Sequence, residues 1–275
     1  MGAESLKEKS VTMSDKITGA QAKVEWADKH IEDFEEELIR FQNTYPYKFT
    51  AQNDPETRQL VYYMTEVADV PSTVSLISGD VLQSLRSALD YLIWAHSENP
   101  TAFTSFPIFD PAKGEQSFLT RKIERLPPAA RKIVTELKPY KGGNETLWKL
   151  HELNRTDKHR LLVASGTALR GFNMNRHLAN IRHGGPTMVV RNGQNFVVRI
   201  AEDVYIPPRV KVFPLKAGDV LLIDPPDTKI DEDIDFRFEV AFNEPEISEG
   251  DSILETLKEC LGLVREIVAL FAKLP

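Results

Sequence analysis

The sequence has very little cysteine: Cys260 is the only thiol among 275 residues. One thiol allows neither an intramolecular disulfide nor a cysteine-based zinc finger. No apolar run approaches the roughly 20 residues that a membrane helix needs. The polar segment Met1–Asp15 lacks the apolar stretch of a secretory signal. These absences predict a soluble, cytoplasmic protein without a membrane partner.

Common catalytic signatures are also missing. The chain has no glycine-rich phosphate loop, no dinucleotide-binding glycine pattern and no Gly-x-Ser-x-Gly turn. His151-Glu152 begins as a zinc-protease helix would, but Arg155 stands where the second histidine is required. No group of residues has the spacing of metal ligands, and the sequence indicates no particular cofactor.

Charge is distributed unevenly along a chain whose formal net charge is −7. Residues 1–116 carry 10 basic and 19 acidic side chains, residues 117–212 carry 18 and 7, and residues 213–275 carry 6 and 15. The basic middle would attract an anionic ligand. The alternative is that the acidic segments on either side fold against this basic segment and neutralise its charge.

Hydrophobic periodicity predicts an α+β fold with a mainly helical N-terminal region, an antiparallel meandering sheet and a closing C-terminal helix. Helices are predicted at residues 20–41, 80–97, 116–126, 129–137 and 145–165, and from the capping box Ser252-Ile253-Leu254-Glu255 onward. Strands are predicted at residues 60–67, 188–190, 196–200, 204–206, 210–214, 219–223 and 236–242, with a hairpin turn at Asn192-Gly193.

We expect residues 1–18 to be a disordered or tag-like terminus, with Met13 as an alternative start. Residues 19–275 are expected to form one α+β domain: a helical region at 19–169, a basic loop at 170–185, and the sheet with the last helix at 186–275. Both terminal helices carry apolar seams with alternating spacings of three and four. The seams predict packing within one chain, and the alternative is a homodimer through the terminal helices.

The helix predicted at residues 145–165 places polar groups within its apolar stripe. Asn154 and Asp157 share a face with Leu147 and Leu150. A buried polar group without a partner costs roughly 1–3 kcal/mol, so we expect a satisfied polar cluster here. The candidate residues are Asn154, Arg155, Asp157, Lys158, His159 and Arg160.

The helix predicted at residues 80–97 has a complementary polar stripe. Arg86 and Asp90 are four residues apart and can form an ion pair. If the two helices pack together, this pair would face Asp157 and either Lys158 or His159. The favoured interpretation is a buried ion-pair lattice that fixes the helix register without a substrate.

The segment from Arg170 to His183 lacks both periodicity and acidic residues. Guanidinium and amide groups beside the glycine pair at residues 184–185 are typical of phosphate sites, and Phe172 would stack on a base. The alternative is an ordinary solvated loop. The candidate ligand-binding residues of the segment are Arg170, Arg176, His177, Arg182 and His183.

Two polar segments stand out, GDVLQSLRSALDYL at residues 79–92 and NRTDKHR at residues 154–160. Through them the chain resembles a family of bacterial hypothetical proteins, and the similarity covers most of the chain, including residues 106–108 and 238–242. The resemblance implies a bacterial origin and supports the choice of residues, but it implies no reaction. The family often has histidine at the position of Gln83, so this chain departs from it there.

A weaker likeness is to HEPN-type helical ribonucleases, whose active site has an arginine and a histidine at a set spacing on one helix. Here three residues separate Arg155 from His159, and nine separate Arg86 from His96. Neither spacing matches, so the likeness is one of analogy only.

The first hypothesis is a protein that binds a phosphate-bearing ligand, as an RNA-directed nuclease or nucleotide-handling enzyme. His159 would be the general acid and base, Arg86 and Lys158 would stabilise phosphate charge, and Asp90 or Asp157 would orient the histidine. The partner would be a nucleic acid or a nucleotide.

The second hypothesis is a non-enzymatic protein-interaction module whose polar helix residues form a structural ion-pair network. The two hypotheses differ in the surroundings of Arg86 and His159. A ligand site requires both side chains to reach a solvent-filled cleft, whereas a structural network buries them and bonds them to protein.

Overall fold

The computed structural model describes residues 13–112, 116–159, 165–173, 187–191, 194–198, 205–206 and 213–274. At residues 13–16, 116–118, 159, 187–191, 194–198 and 205–206 it describes the backbone alone. The chain has the α+β fold that its periodicity predicts. It divides into two compact units, one comprising Met1–Glu37, Ser72–Val163 and Ile253–Pro275, the other Leu38–Pro71 and Ala164–Ser252. The units therefore interleave along the chain, whereas the sequence predicts a single domain in which a helical region precedes the sheet.

The first unit is helical. Its helices are α1 (Met13–Gln42, of which residues up to 37 belong here), α2 (Ser72–His96), α3 (Gln116–Ile123), α4 (Pro128–Glu136), α5 (Glu145–His159) and α6 (Ile253–Phe271). Because α1 begins at Met13, residues 13–18 of the terminus that was expected to be disordered are helical. None of the described helices is both long enough and apolar enough to span a bilayer.

The seams of the two terminal helices lie in the core of the first unit. The α1 seam from Ala20 to Phe34 and the α6 seam from Leu257 to Phe271 are buried within the chain. Arg265 Nη2 donates to Asp28 Oδ2 at 2.7 Å, and Lys258 pairs with Glu35, so α6 runs antiparallel to α1. This confirms the prediction that the seams pack within one chain, and it removes the seams as a dimer surface.

Helix α2 begins eight residues earlier than its predicted start. Gly79, which the prediction left just outside the helix, lies inside it. A Cβ atom at Gly79 would come within 2.6 Å of Asp157 Oδ1 on α5. The glycine is therefore explained by a close approach between two helices, which no local pattern reports.

The second unit is built from antiparallel strands. One sheet has the order β1 (Tyr47–Asn53), β2 (Gln59–Val67), β7 (Val220–Pro226); another has the order β6 (Tyr205–Ile206), β3 (Ser165–Asn173), β8 (Phe236–Glu244), β9 (Ser248–Ser252). The strands β4 (Thr187–Arg191) and β5 (Gln194–Val198) pair with Arg191 opposite Gln194, as the predicted hairpin requires.

An apolar cluster holds the second unit together. Alternate residues of β2, namely Leu60, Tyr62 and Met64, are buried in it with Phe172 and Phe236. The rings of Tyr62 and Phe236 meet edge to face, with centroids 5.9 Å apart. The alternation of apolar residues along β2 thus predicts both that the segment is a strand and which of its faces is buried.

Three strands were not predicted. In β3 nearly every residue is buried, so the strand shows no alternation of apolar and polar side chains. The strands β1 and β9 contain polar residues of low strand propensity and are held by pairing with β2 and β8. In the strand predicted at residues 210–214, residues 213 and 214 lie outside any strand, and the remainder lies outside the described residues.

Candidate functional site

Arg86 on α2 is the centre of a closed hydrogen-bond network. Its Nη1 donates to Asp90 Oδ1 one turn along the helix, and its Nη2 donates to the Phe106 carbonyl at 2.8 Å. The Phe106 amide in turn donates to Asp90 Oδ1 at 2.8 Å. Arg86 is only 7% exposed. The predicted Arg86–Asp90 ion pair is confirmed, and it fastens the chain around Phe106 to α2.

His151 on α5 completes this network. Arg86 Nε donates to His151 Nδ1 at 3.4 Å, so Nδ1 accepts and the ring proton of the neutral imidazole belongs on Nε2. Burial, as the largest cause, and the positive charges of Arg86, Arg155 and Lys158 together lower the pKa of His151 to about 4. His151 is therefore a neutral acceptor at pH 7.

Sequence reasoning missed this role of His151. It considered the residue only as the first histidine of an incomplete zinc-protease pattern. The available signal was its spacing, since His151 lies three residues before Asn154, which puts the two side chains on one helix face.

Asp157 marks the second contact between the two helices. Its carboxylate lies against the α2 backbone at Gly79. Burial raises the pKa of Asp157, the negative charge of Asp80 raises it further, and Lys158 opposes both effects. Because position 151 meets position 86 and position 157 meets position 79, α2 and α5 pack antiparallel with their polar stripes in contact. The expected pairing was wrong for Asp157, which lies two turns of α2 away from Arg86, at Gly79.

Between these two contacts lie two amide side chains. Gln83 is four residues from Gly79 and three from Arg86, and Asn154 is three residues from both His151 and Asp157. Gln83 Nε2 donates to Ser87 Oγ at 3.0 Å, but the buried atoms Gln83 Oε1 and Asn154 Oδ1 have no hydrogen-bond partner among the described residues. Asn154 is 4% exposed, so its orphaned oxygen does not reach bulk water.

The remaining predicted residues of α5 differ in exposure. Arg155 pairs with the buried Glu152 and keeps a side chain that is 49% exposed. Lys158 is exposed. His159 is the last residue of α5, but its side chain lies outside the described residues, as does all of Arg160. The structure thus brings together Arg86, Asp90, Asn154 and Asp157 among the candidates, and it adds His151 and Gln83 to them.

The predicted basic loop is wrong at its beginning. Arg170 lies in β3, where its Nε donates to Glu239 Oε2 on β8 at 2.8 Å. Phe172 is buried in the aromatic cluster of the second unit, so its ring cannot stack on a base. The other candidates of this segment, Arg176, His177, Arg182 and His183, lie outside the described residues.

Comparison of the chain with family models, curated proteins and solved structures found no match. The described residues contain no group of three or more histidine, cysteine, aspartate or glutamate side chains arranged to hold a metal ion.

Proposed function

We propose that the protein is a non-enzymatic protein-interaction module whose polar helix residues form a structural ion-pair network. Arg86 carries this proposal. Its Nε, Nη1 and Nη2 atoms all donate to protein acceptors, on His151, Asp90 and Phe106. A phosphate group would have to displace these acceptors from a side chain that is almost completely buried, and it would leave the Asp90 carboxylate without its cation and the Phe106 carbonyl without the Arg86 donor.

The first unit also exposes aromatic side chains that suit a protein partner. Tyr91 and Trp94 are 43% and 38% exposed and lie three residues apart on one side of α2. Trp26 and Phe103 are exposed in the same unit. Tyrosine and tryptophan are enriched at the centres of protein interfaces, where they bury large area at a small cost in side-chain entropy.

The experiment compares Arg86→Lys with Trp94→Arg in two assays, after both variants have been shown to fold by circular dichroism. In a low-salt titration with mixed RNA, the proposal expects no saturable binding by the wild type. In affinity capture, it expects a partner that Arg86→Lys retains and Trp94→Arg loses. RNA binding by the wild type that a folded Arg86→Lys variant abolishes would overturn the proposal.

The second candidate function is binding of a phosphate-bearing ligand. The positive electrostatic potential around His151 favours it. Three cations, Arg86, Arg155 and Lys158, act on this imidazole, and Lys158 is exposed beside the half-buried Asp157. In this form of the first hypothesis Lys158 meets the phosphate, His159 transfers protons and Arg86 only supports the helix. We retain the nuclease or nucleotide-handling activity as this second proposal.

A salt-dependent titration tests the second candidate. Lys158→Ala should weaken RNA or nucleotide binding and reduce its salt dependence. Lys132→Ala, which removes the same charge from an exposed position on α4, should change neither. Equal effects of the two changes would indicate non-specific attraction, and cleavage that persists in His159→Ala would remove the catalytic role of the histidine.

A further inference from the structure

The middle of the α2–α5 contact is an oxygen-rich position between two tightly packed ends. At one end Arg86 binds His151, and at the other Asp157 lies against Gly79. On an α-helix, residues three or four apart share a face. Gln83 and Asn154 occupy the positions between these two ends on α2 and α5.

Both of these residues present an oxygen atom without a donor. Gln83 Oε1 and Asn154 Oδ1 are buried and have no hydrogen-bond partner in the part of the chain that the structure describes. Leaving such an acceptor unsatisfied is costly, so each of these two oxygens needs a donor or a cation. The amide nitrogen of Gln83 makes its hydrogen bond along α2, to Ser87, and so does not supply that group.

Two carboxylates flank the amides in the same arrangement on each helix. Asp80 precedes Gln83 by three residues on α2, and Asp157 follows Asn154 by three residues on α5. Asp157 lies against Gly79, the residue next to Asp80, so the two carboxylates belong to the same end of the contact. Asp80 is exposed, which gives the position an opening to solvent.

We propose that Asp80, Gln83, Asn154 and Asp157 bind one hard divalent cation, of the class of Mg²⁺, Mn²⁺ or Ca²⁺, between α2 and α5. Carboxylate and amide oxygens with water are the ligands that these ions take. The cation satisfies both orphaned oxygens and removes the repulsion between the two carboxylates. Water completes the coordination on the side of Asp80.

The donor set excludes softer metals. It contains no thiolate, and the imidazole nitrogen that faces α2, His151 Nδ1, already accepts from Arg86. Gly79 belongs to the same site, since a larger residue would push the Asp157 carboxylate away from α2. The proposal stands independently of the interaction-module function, because a cation between two helices strengthens either a scaffold or a ligand site.

Isothermal titration calorimetry on the full chain, freed of metal by chelation, tests the site with MnCl₂, CaCl₂ and MgCl₂ in turn. The wild type should bind one equivalent of at least one of these ions. Asp157→Asn and Asn154→Leu should each weaken that binding by at least about tenfold. The matched control is Glu152→Gln, which removes a carboxylate from α5 that pairs with Arg155 instead, and it should bind as the wild type does.

Thermal unfolding of the wild type keeps the proposal testable if a variant fails to fold. The same ion should raise the Tm and a chelator should reverse the rise, because an ion that binds only the native state stabilises it. Absence of both saturable heat and a Tm rise would overturn the proposal, with a buried water as the remaining donor to the two amides. Binding that survives in both folded variants would place the ion elsewhere and would overturn it equally.

Discussion

The two ends of the α2–α5 contact use similar residues to opposite effect. At the Arg86 end, a cation, a carboxylate, an imidazole and a backbone carbonyl satisfy one another. Towards the Asp157 end, two amide oxygens are buried without donors among the described residues, and two carboxylates repel each other. Saturated polar groups fix the packing of helices, whereas unsatisfied ones indicate a missing partner. The first end therefore has a structural role, and the second is where we propose that a cation binds.

Removal of the Arg86 side chain should destabilise the protein more than any other change considered below. Arg86→Ala leaves Asp90 without its cation and takes away the donor that the Phe106 carbonyl and His151 share. We expect a loss of about 3 kcal/mol in the free energy of unfolding, measured by urea denaturation. A loss below about 1 kcal/mol would mean that the network contributes little, and the assignment of this end to structure would fail.

The pH dependence of stability tests His151 at the same end. Its pKa is lowered from 6.5 to about 4, so the folded state resists protonation. Below pH 6.5 the unfolded chain binds a proton that the folded chain does not, and stability is lost as the pH falls towards 4. His151→Gln should reduce this loss by roughly 3 kcal/mol at about pH 4. Urea denaturation of the wild type and the variant between neutral pH and the folded pKa measures this difference. If the free energy of unfolding fell equally with pH in both proteins, the prediction would be contradicted.

Gly79→Ala tests how tightly the Asp157 end is packed. The new Cβ would lie 2.6 Å from Asp157 Oδ1, and we expect about 2 kcal/mol of destabilisation from the displaced contact. Gly262→Ala is the matched control, since it also lies inside a helix and no described atom comes within 4 Å of the added one. The control should gain about 0.5–1 kcal/mol from helix propensity. Equal gains in the two variants would show that the close approach is absent.

The smallest effect is expected from Asp157→Asn in the presence of a chelator. The raised pKa of Asp157 means that its ionised form is disfavoured in the folded state. This cost is absent below the unfolded value of 3.8 and appears as the pH rises through the folded pKa. The variant should therefore be more stable than the wild type at neutral pH and equal to it below the unfolded pKa, by thermal unfolding. If the variant were less stable than the wild type at neutral pH, then other groups of the folded protein would already stabilise the ionised Asp157 carboxylate.

Much of the first unit could be predicted from periodicity. The seams of α1 and α6 and the leucine face of α2 repeat at helical spacing, and the structure buries them. The Arg86–Asp90 pair followed from a spacing of four on one helix. The second unit was harder, because β3 is buried on both faces and therefore lacks the alternation that identifies a strand.

The candidate site was predicted only incompletely. Asn154 and Asp157 were recognised as polar groups within an apolar stripe, and both lie in the contact with α2. His151 and Gln83 were not assigned their places, since a partner on another helix is not visible in local spacing. The basic segment was misjudged at Arg170, because an absence of acidic neighbours in sequence says nothing about Glu239, which is 69 residues away.

The fold class, the apolar seams and the polar stripes of α2 and α5 can be read from the sequence, because they depend on periods of two and 3.6 residues within a single element. Which polar groups are satisfied depends on how the elements pack together. Hydrogen-bond partners such as Arg86 and His151 come from distant segments, and the oxygens Gln83 Oε1 and Asn154 Oδ1 are buried only in the folded chain. The same types of residue therefore form a saturated network at one end of this contact and a candidate cation site at the other.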